Sequence, residues 1–323
     1  RSAIMRLAGV VMVREGRSPA ARVEVERSIV NELSKIASEN IGSETMDAEV
    51  MVTYPTEAFL SKEYLQAEKK LLWPKIWQMV ERETDLPNPG DWMTYDVAEE
   101  SIIVLRKDDG TFKAFHNVCR HRAGPIATCD AKQAKVLRCK YHGWTYGLDG
   151  VLKSAPEMGN TEDFSVSDVK LPEAKVSVWQ GLVFVATDEA PEFTEVVKGI
   201  DERLGKQSLK DYVFHHKVSY DVNCNWKVYV DNYLEGYHVP HIHPGLNSLL
   251  DYRTYITETA EWYSYQFSPL ESSDELYGSG DALYYFIYPN TMLNILPGRL
   301  QTNRVIPIDV DKCRVEFDYY YQI

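Results

Sequence analysis

Two short Cys/His runs constrain this 323-residue chain more than any other feature. Cys119-Arg-His121 is a C-x-H pair, and a little further on Cys139-Lys-Tyr-His142 is a C-x-x-H pair. Strand-like segments lead into both, Thr111 to Asn117 for the first and Lys135 to Arg138 for the second, so each pair is expected at the tip of a β-hairpin. Two thiolates and two imidazoles can hold a tetrahedral zinc ion. They can also hold a 2Fe-2S cluster, with two cysteines on one iron and two histidines on the other. Zinc sites of this sort usually pair Cys with Cys and His with His. Here each loop supplies one of each, so each loop can offer a ligand to either iron. Gly124 and Gly143 stand beside the ligands, where a cluster needs close approach of the backbone, and the cluster is the favoured reading.

The segments around these loops divide the chain. Residues 1 to 50 are charged, with Val23, Val25, Ile29, Val30, Leu33 and Ile36 at roughly helical spacing. A second helical stretch is expected from Thr56 to Val80, broken at Pro74. The prolines and glycine of Asp85 to Asp91 mark a boundary. Strands are then expected over Ser101 to Arg106 and Val176 to Ala186, with turns at Asp108-Asp109-Gly110 and Leu148 to Val151. This gives an N-terminal helical segment (1–86), an all-β metal-bearing domain (87–188) and a mixed domain (189–323). In the last, Glu195 to Leu209 reads as helix, Tyr212 to Val222 as strand, and Trp226 to Val239 as helix ending before Pro240. A tyrosine-rich run of strands follows.

The mixed domain carries a second constellation. Glu235 and His238 are spaced i, i+3, as on one helix face. If Pro240 breaks that helix, the chain can bring His243 back toward His238. Two imidazoles and a carboxylate with open positions form the facial triad that binds Fe(II). His241 falls outside the spacing.

Taken together, the runs Cys119 to Pro125 and Cys139 to Gly147 resemble the two Rieske loops of ring-hydroxylating and related oxygenases. The resemblance implies an α+β protein: an all-β Rieske domain ahead of a catalytic domain of the helix-grip type, with a central antiparallel sheet and helices. It implies Cys119 and Cys139 on one iron of a 2Fe-2S cluster and His121 and His142 on the other, acting as an electron relay. It implies a mononuclear Fe(II) held by His238 and His243. Glu235 falls on the family's bridging acid, which links an iron-ligand histidine to a Rieske histidine, here His142, of the adjacent subunit of a homotrimer. Most members have Asp there; members resembling carnitine oxygenase have Glu. The family's third iron ligand is an Asp far downstream of the second histidine. Asp309, Asp311 and Asp318 match no motif, and that carboxylate is expected in a segment beyond Ile323. Electrons would come from an NAD(P)H-dependent flavin/iron–sulfur reductase or a ferredoxin.

The Glu at the bridge and the run Asp231 to Pro240 look most like choline, glycine-betaine and carnitine oxygenases, so a quaternary amine is the expected substrate. Aromatic rings from Tyr252 to Tyr288 could cage its cation or simply form the core of a half-buried sheet. An aromatic-ring hydroxylase, another N- or O-demethylase, mono- or dioxygenase, and a Rieske electron-transfer protein remain alternatives. A formal net charge of -13 argues against nucleic acid as a partner. Against that background Lys113, Arg120, Arg122, Lys132, Lys135, Arg138 and Lys140 form a basic collar around the Cys/His loops, a candidate face for an acidic electron donor. No apolar run is long enough to span a membrane, and five sparse cysteines fit a reducing, cytoplasmic setting.

Overall fold

The structure, a computed structural model, describes residues 55–158, 161–187, 190–236, 238–247, 254–271 and 279–322. The helical expectation for residues 1–50 lies outside them. The chain divides into two compact units, one of residues 73–193 and one joining residues 1–72 to 194–323.

The first unit is all β. Its main sheet runs β1 (Gln78–Arg82), β9 (Leu182–Ala186), β8 (Glu173–Trp179), β4 (Phe112–His116), β3 (Glu100–Arg106), β2 (Trp92–Val97), and every pairing is antiparallel. β3 and β9 read as unbroken apolar runs, and Ile102 to Leu105 and Leu182 to Ala186 are all buried, as central strands covered on both faces require. The single strand expected over Val176 to Ala186 is in fact a hairpin. Gln180 and Gly181 both take positive φ between paired Trp179 and Leu182, the two-residue turn whose twist suits flanking strands. The expected helical stretch ends earlier than Val80: after Leu71 a 3-10 turn at Trp73–Lys75 leads into β1. Pairing of β1 with β9 draws residues 73–86 into this unit, so the division falls at 72/73 and not at 86/87. A small sheet of β5 (Leu137–Arg138), β6 (Thr145–Tyr146) and β7 (Leu152–Ser154) completes it.

The second unit is α+β. A seven-stranded antiparallel sheet runs β10 (Tyr212–Val222), β16 (Lys312–Gln322), β15 (Arg299–Asp309), β14 (Thr291–Leu296), β13 (Ser279–Ile287), β12 (Tyr263–Glu271), β11 (Ile256–Thr259). β10 matches the strand expected there residue for residue. Helices α1 (Glu57–Leu60) and α2 (Lys62–Leu71) precede it; Ser61 caps α2 by accepting from Tyr64 N. The helix expected over Glu195 to Leu209 is split into α3 (Phe193–Val196) and α4 (Ile200–Leu204), because Gly199 and Gly205 both take positive φ. Helix α5 (Trp226–Tyr233) packs across β15 and β16. Short helices α6 (Val239–Ile242) and α7 (Pro244–Asn247) follow. None of the described helices is long and apolar enough to cross a membrane. All five cysteines are free.

Candidate metal centres

The two Cys/His loops are built to one plan. Cys119 N donates to Gly124 O (2.8 Å) and Ala123 N to Cys119 O (3.0 Å); Cys139 N donates to Trp144 O (2.9 Å) and Gly143 N to Cys139 O (3.0 Å). Ala123 and Gly143, each four residues after its cysteine, take positive φ (56° and 75°). Each loop is thus a tight knuckle that turns its cysteine inward and its histidine to the same side. Cys119 and Cys139 are buried, and the rings of His121 and His142 stand 4.6 Å apart. The second knuckle caps the β5–β6 hairpin, as expected. The first follows β4 and is held by a residue the sequence did not single out, Asn117. Its Oδ1 accepts from Ile126 N and Ala127 N, and its Nδ2 donates to Ala127 O and Ser101 Oγ.

The donor set fits a two-iron cluster. His121 Nδ1 is buried with no hydrogen-bond partner, an acceptor left for a metal. Each loop carries one cysteine and one histidine, so each can offer a ligand to either metal atom of such a group. A two-iron group spreads them over two metal atoms. Two aromatic neighbours, both inside the sequence runs, pack against His121 and Cys119. Trp144 stacks on His121 at 4.8 Å and 10°. Tyr146 Oη lies 3.3 Å from Cys119 Sγ and accepts from Arg120 N at 3.1 Å, so its hydroxyl proton is free to point at the sulfur. Burial, then this contact with Cys119, pushes the Tyr146 phenol well up, which keeps it a donor.

His142 and Tyr141 are exposed and their rings are 3.9 Å apart. Arg120, Arg122, Lys132, Lys135, Arg138 and Lys140 of the basic collar are exposed as well. Lys113 is paired with Glu173 at 2.6 Å, and Lys132 donates to Asp85 O and lies 4.0 Å from Asp91.

In the second unit Glu235 and His238 do not share a helix. α5 ends at Tyr233, Glu235 and Gly236 form a turn, and Pro240 opens α6 instead of closing α5. Proline suits a first helical turn, where its missing N–H costs nothing. The turn still joins the two residues. Glu235 Oε1 is 2.5 Å from His238 Nδ1, and Glu235 Oε2 accepts from His238 N at 3.1 Å. A carboxylate on Nδ1 sets the tautomer that leaves Nε2 free to ligate. The rings of His238 and His243 are 5.1 Å apart and near perpendicular. His241 is exposed. Among the described residues no carboxylate joins them as a third ligand of a metal site.

The helix before the turn is anchored in the protein interior. Lys227 Nζ lies 2.8 Å from Glu68 Oε1 with both side chains buried, and Trp226 Nε1 donates to Glu68 Oε2 at 3.0 Å. Burial pushes Glu68 up and Lys227 down, and each partner pulls the other back. Asp231, one turn on, has a buried Oδ1 without a partner, and burial pushes its carboxyl up to about 7. Of the rings considered for a cation cage, Trp262, Tyr263, Tyr265, Tyr285, Phe286 and Tyr288 are core. Tyr255, Phe267 and Tyr284 stay half-buried, and Tyr252 and Tyr277 lie outside the described residues.

Residues 76–172 match the family described as the Rieske [2Fe-2S] domain, and residues 209–322 that described as the ring hydroxylating alpha subunit (catalytic domain). The choline monooxygenase of Arabidopsis thaliana is 33% identical over 90% of this chain and 72% of its own length. The carnitine monooxygenase oxygenase subunit of Escherichia coli (strain K12) is 28% identical over 83% of this chain and 75% of its own. Among solved structures, the quaternary ammonium Rieske monooxygenase CntA with L-carnitine superposes with a TM-score of 0.72 at 28% identity, over 83% of this chain and 75% of that one.

Proposed function

This chain belongs to the Rieske oxygenase alpha subunits of the ring-hydroxylating family, and from that premise we propose that it is a monooxygenase acting on a quaternary amine. It is an oxidoreductase whose cofactors are a Rieske 2Fe-2S cluster and a mononuclear iron. When bound, the cluster supplies single electrons and the mononuclear iron is where oxygen is activated for insertion into a C–H bond, here that of an N-methyl or neighbouring carbon.

In this proposal Cys119, Cys139, His121 and His142 hold the cluster, and His238 and His243 hold the mononuclear iron. Glu235 orients His238 through Nδ1, and its carboxylate retains lone pairs for a second donor, His142 of a neighbouring copy in a homotrimer. The electron donor is an NAD(P)H-dependent reductase or ferredoxin with an acidic face, and the setting is cytoplasmic. The observation that carries the reading is the Glu235–His238 contact: a glutamate, the acid of the carnitine-type enzymes, lies against the histidine that this proposal assigns to the iron.

The test is oxygen uptake by the reconstituted protein with a flavin/iron–sulfur reductase and NAD(P)H, over choline, glycine betaine, carnitine and a set of aromatic acids. Uptake matched by product with at least one quaternary amine is expected. A protein with full iron and acid-labile sulfide that turns over aromatic acids alone would overturn it.

A further inference from the structure

The catalytic sheet carries a row of polar side chains where a core face would carry apolar ones. Reading the strand registers across, Thr257 stands opposite Gln266, Gln266 opposite Tyr284, Tyr284 opposite Asn294, and Asn294 opposite Gln301. Residues directly opposite one another share a face, so the row runs along one side of β11 to β15. Gln266 is 2% exposed. A buried amide must be hydrogen-bonded or it destabilises the fold, and what Gln266 bonds to is the end of α5.

The last residue of α5, Tyr233, has a carbonyl left over by the helix, and Gln266 Nε2 donates to it at 2.6 Å. Gln266 Oε1 in turn accepts from Tyr255 Oη at 2.5 Å. The Tyr255 ring lies on Gly236, so that a Cβ placed there would come within 2.6 Å of it. On the other side, Tyr233 Oη donates to Asn294 Oδ1 at 2.5 Å. Three side chains, Gln266, Tyr255 and Asn294, thus grip the stretch from Tyr233 to Gly236, and Glu235 sits inside the grip.

We infer that Tyr255, Gln266, Tyr233 and Asn294 form a positioning belt that sets the Glu235–Gly236 turn, and so the stance of His238 as an iron ligand. The inference rests on the assignment of His238 and His243 to the mononuclear iron. Its hydrogen bonds run to the helix end and among its own members, so they are positioning residues. They act through the turn: Gln266 fixes where the helix stops, and Tyr255 admits no side chain at 236. Partners that orient a ligand typically govern metal affinity by about 10–100-fold.

The test compares Gln266→Met, which keeps volume and removes both hydrogen bonds, with Tyr255→Phe, which keeps the ring on Gly236 and removes one. Leu300→Ala serves as reference, since Leu300 is buried on the opposite face of β15 and truncating it lowers stability without touching the belt. For each variant, iron in excess of acid-labile sulfide is measured after dialysis against a graded chelator, beside the visible spectrum and melting temperature. The expected result is an unchanged cluster spectrum in all. Mononuclear iron should be held about tenfold more weakly in Gln266→Met, with a smaller loss in Tyr255→Phe and none in Leu300→Ala. Should Gln266→Met fail to fold, Tyr255→Phe carries the comparison alone. Wild-type iron retention in the belt variants, with melting temperatures lowered as in Leu300→Ala, would overturn the belt alone. Absence of excess iron from the unaltered protein would overturn the ligand assignment and the belt together.

Discussion

At the scale of single residues, two side chains outside the ligand set make distinct predictions. Asp231 ordinarily titrates near 3.8 and is pushed up to about 7 by burial. Between those values the folded chain holds a proton that the unfolded chain has lost. Stability from this group therefore falls as pH rises from about 4 to about 7. Asp231→Asn should flatten that part of the stability–pH curve, read as urea midpoints across the range; an unchanged slope would show that Asp231 is ionised in the fold. Tyr146 offers its hydroxyl to Cys119 Sγ. Hydrogen bonds to cluster sulfurs raise the reduction potential, so Tyr146→Phe should lower the midpoint potential with the cluster spectrum kept, as redox titration would show. Neither residue announces itself by type. Asp231 becomes notable only because the fold buries its Oδ1 without a hydrogen bond, and Tyr146 only because a knuckle brings Cys119 to it.

At the scale of elements, α5 explains most of what was legible and what was not. Its start is local chemistry: Asn225 Oδ1 caps the helix by accepting from Lys227 N. Its end is not, because nothing in Tyr233-Leu-Glu-Gly forces a stop as early as Tyr233. Gln266, a residue of β12, meets the terminal carbonyl. The buried Glu68–Lys227 pair ties α5 to α2. Removing one partner leaves an uncompensated charge, so Glu68→Ala should cost about 3–5 kcal/mol of stability, measured by urea unfolding. Replacing both partners together, as Glu68→Leu with Lys227→Met, should recover much of the loss. A similar loss in the double variant would mean that the pair contributes through shape and not charge. The knuckles contrast with α5. Each is closed by its own backbone within six residues, which is why their outline could be read directly.

At the scale of the whole molecule, charge is unevenly placed. The net charge is -13, yet Arg120, Arg122, Lys132, Lys135, Arg138 and Lys140 lie exposed in the first unit, within the two knuckles and the chain that joins them. Such a patch speeds encounter with an acidic partner in a salt-dependent way. Arg138→Glu combined with Lys140→Glu should slow reduction of the cluster by the donor and weaken its dependence on ionic strength, followed by stopped-flow spectroscopy. An unchanged rate would remove the docking role. If Glu235 serves a neighbouring copy's His142, mixed oligomers of His142→Ala and His243→Ala chains should recover part of the activity that each lacks alone, because one site in the mixture keeps both partners. No recovery would argue that transfer stays within one chain.

What the sequence determined by itself was chemistry that is local in the chain: two Cys/His knuckles, the Glu-x-x-His spacing with His243 beyond, the β-rich texture of the first unit and the strand at Tyr212–Val222. These follow from residue type and from contacts a few positions apart. Tertiary structure alone decided the rest. It drew residues 73–86 into the first unit by pairing β1 with β9, and residues 55–72 into the second through Glu68 and Lys227. It stopped α5 before Glu235, buried Asp231 Oδ1 without a hydrogen bond, consigned six of the described aromatic rings to the core, and set Gln266 and Tyr255 against the turn. Those outcomes depend on burial and on partners far away in sequence, and no spacing along the chain encodes which distant group will arrive.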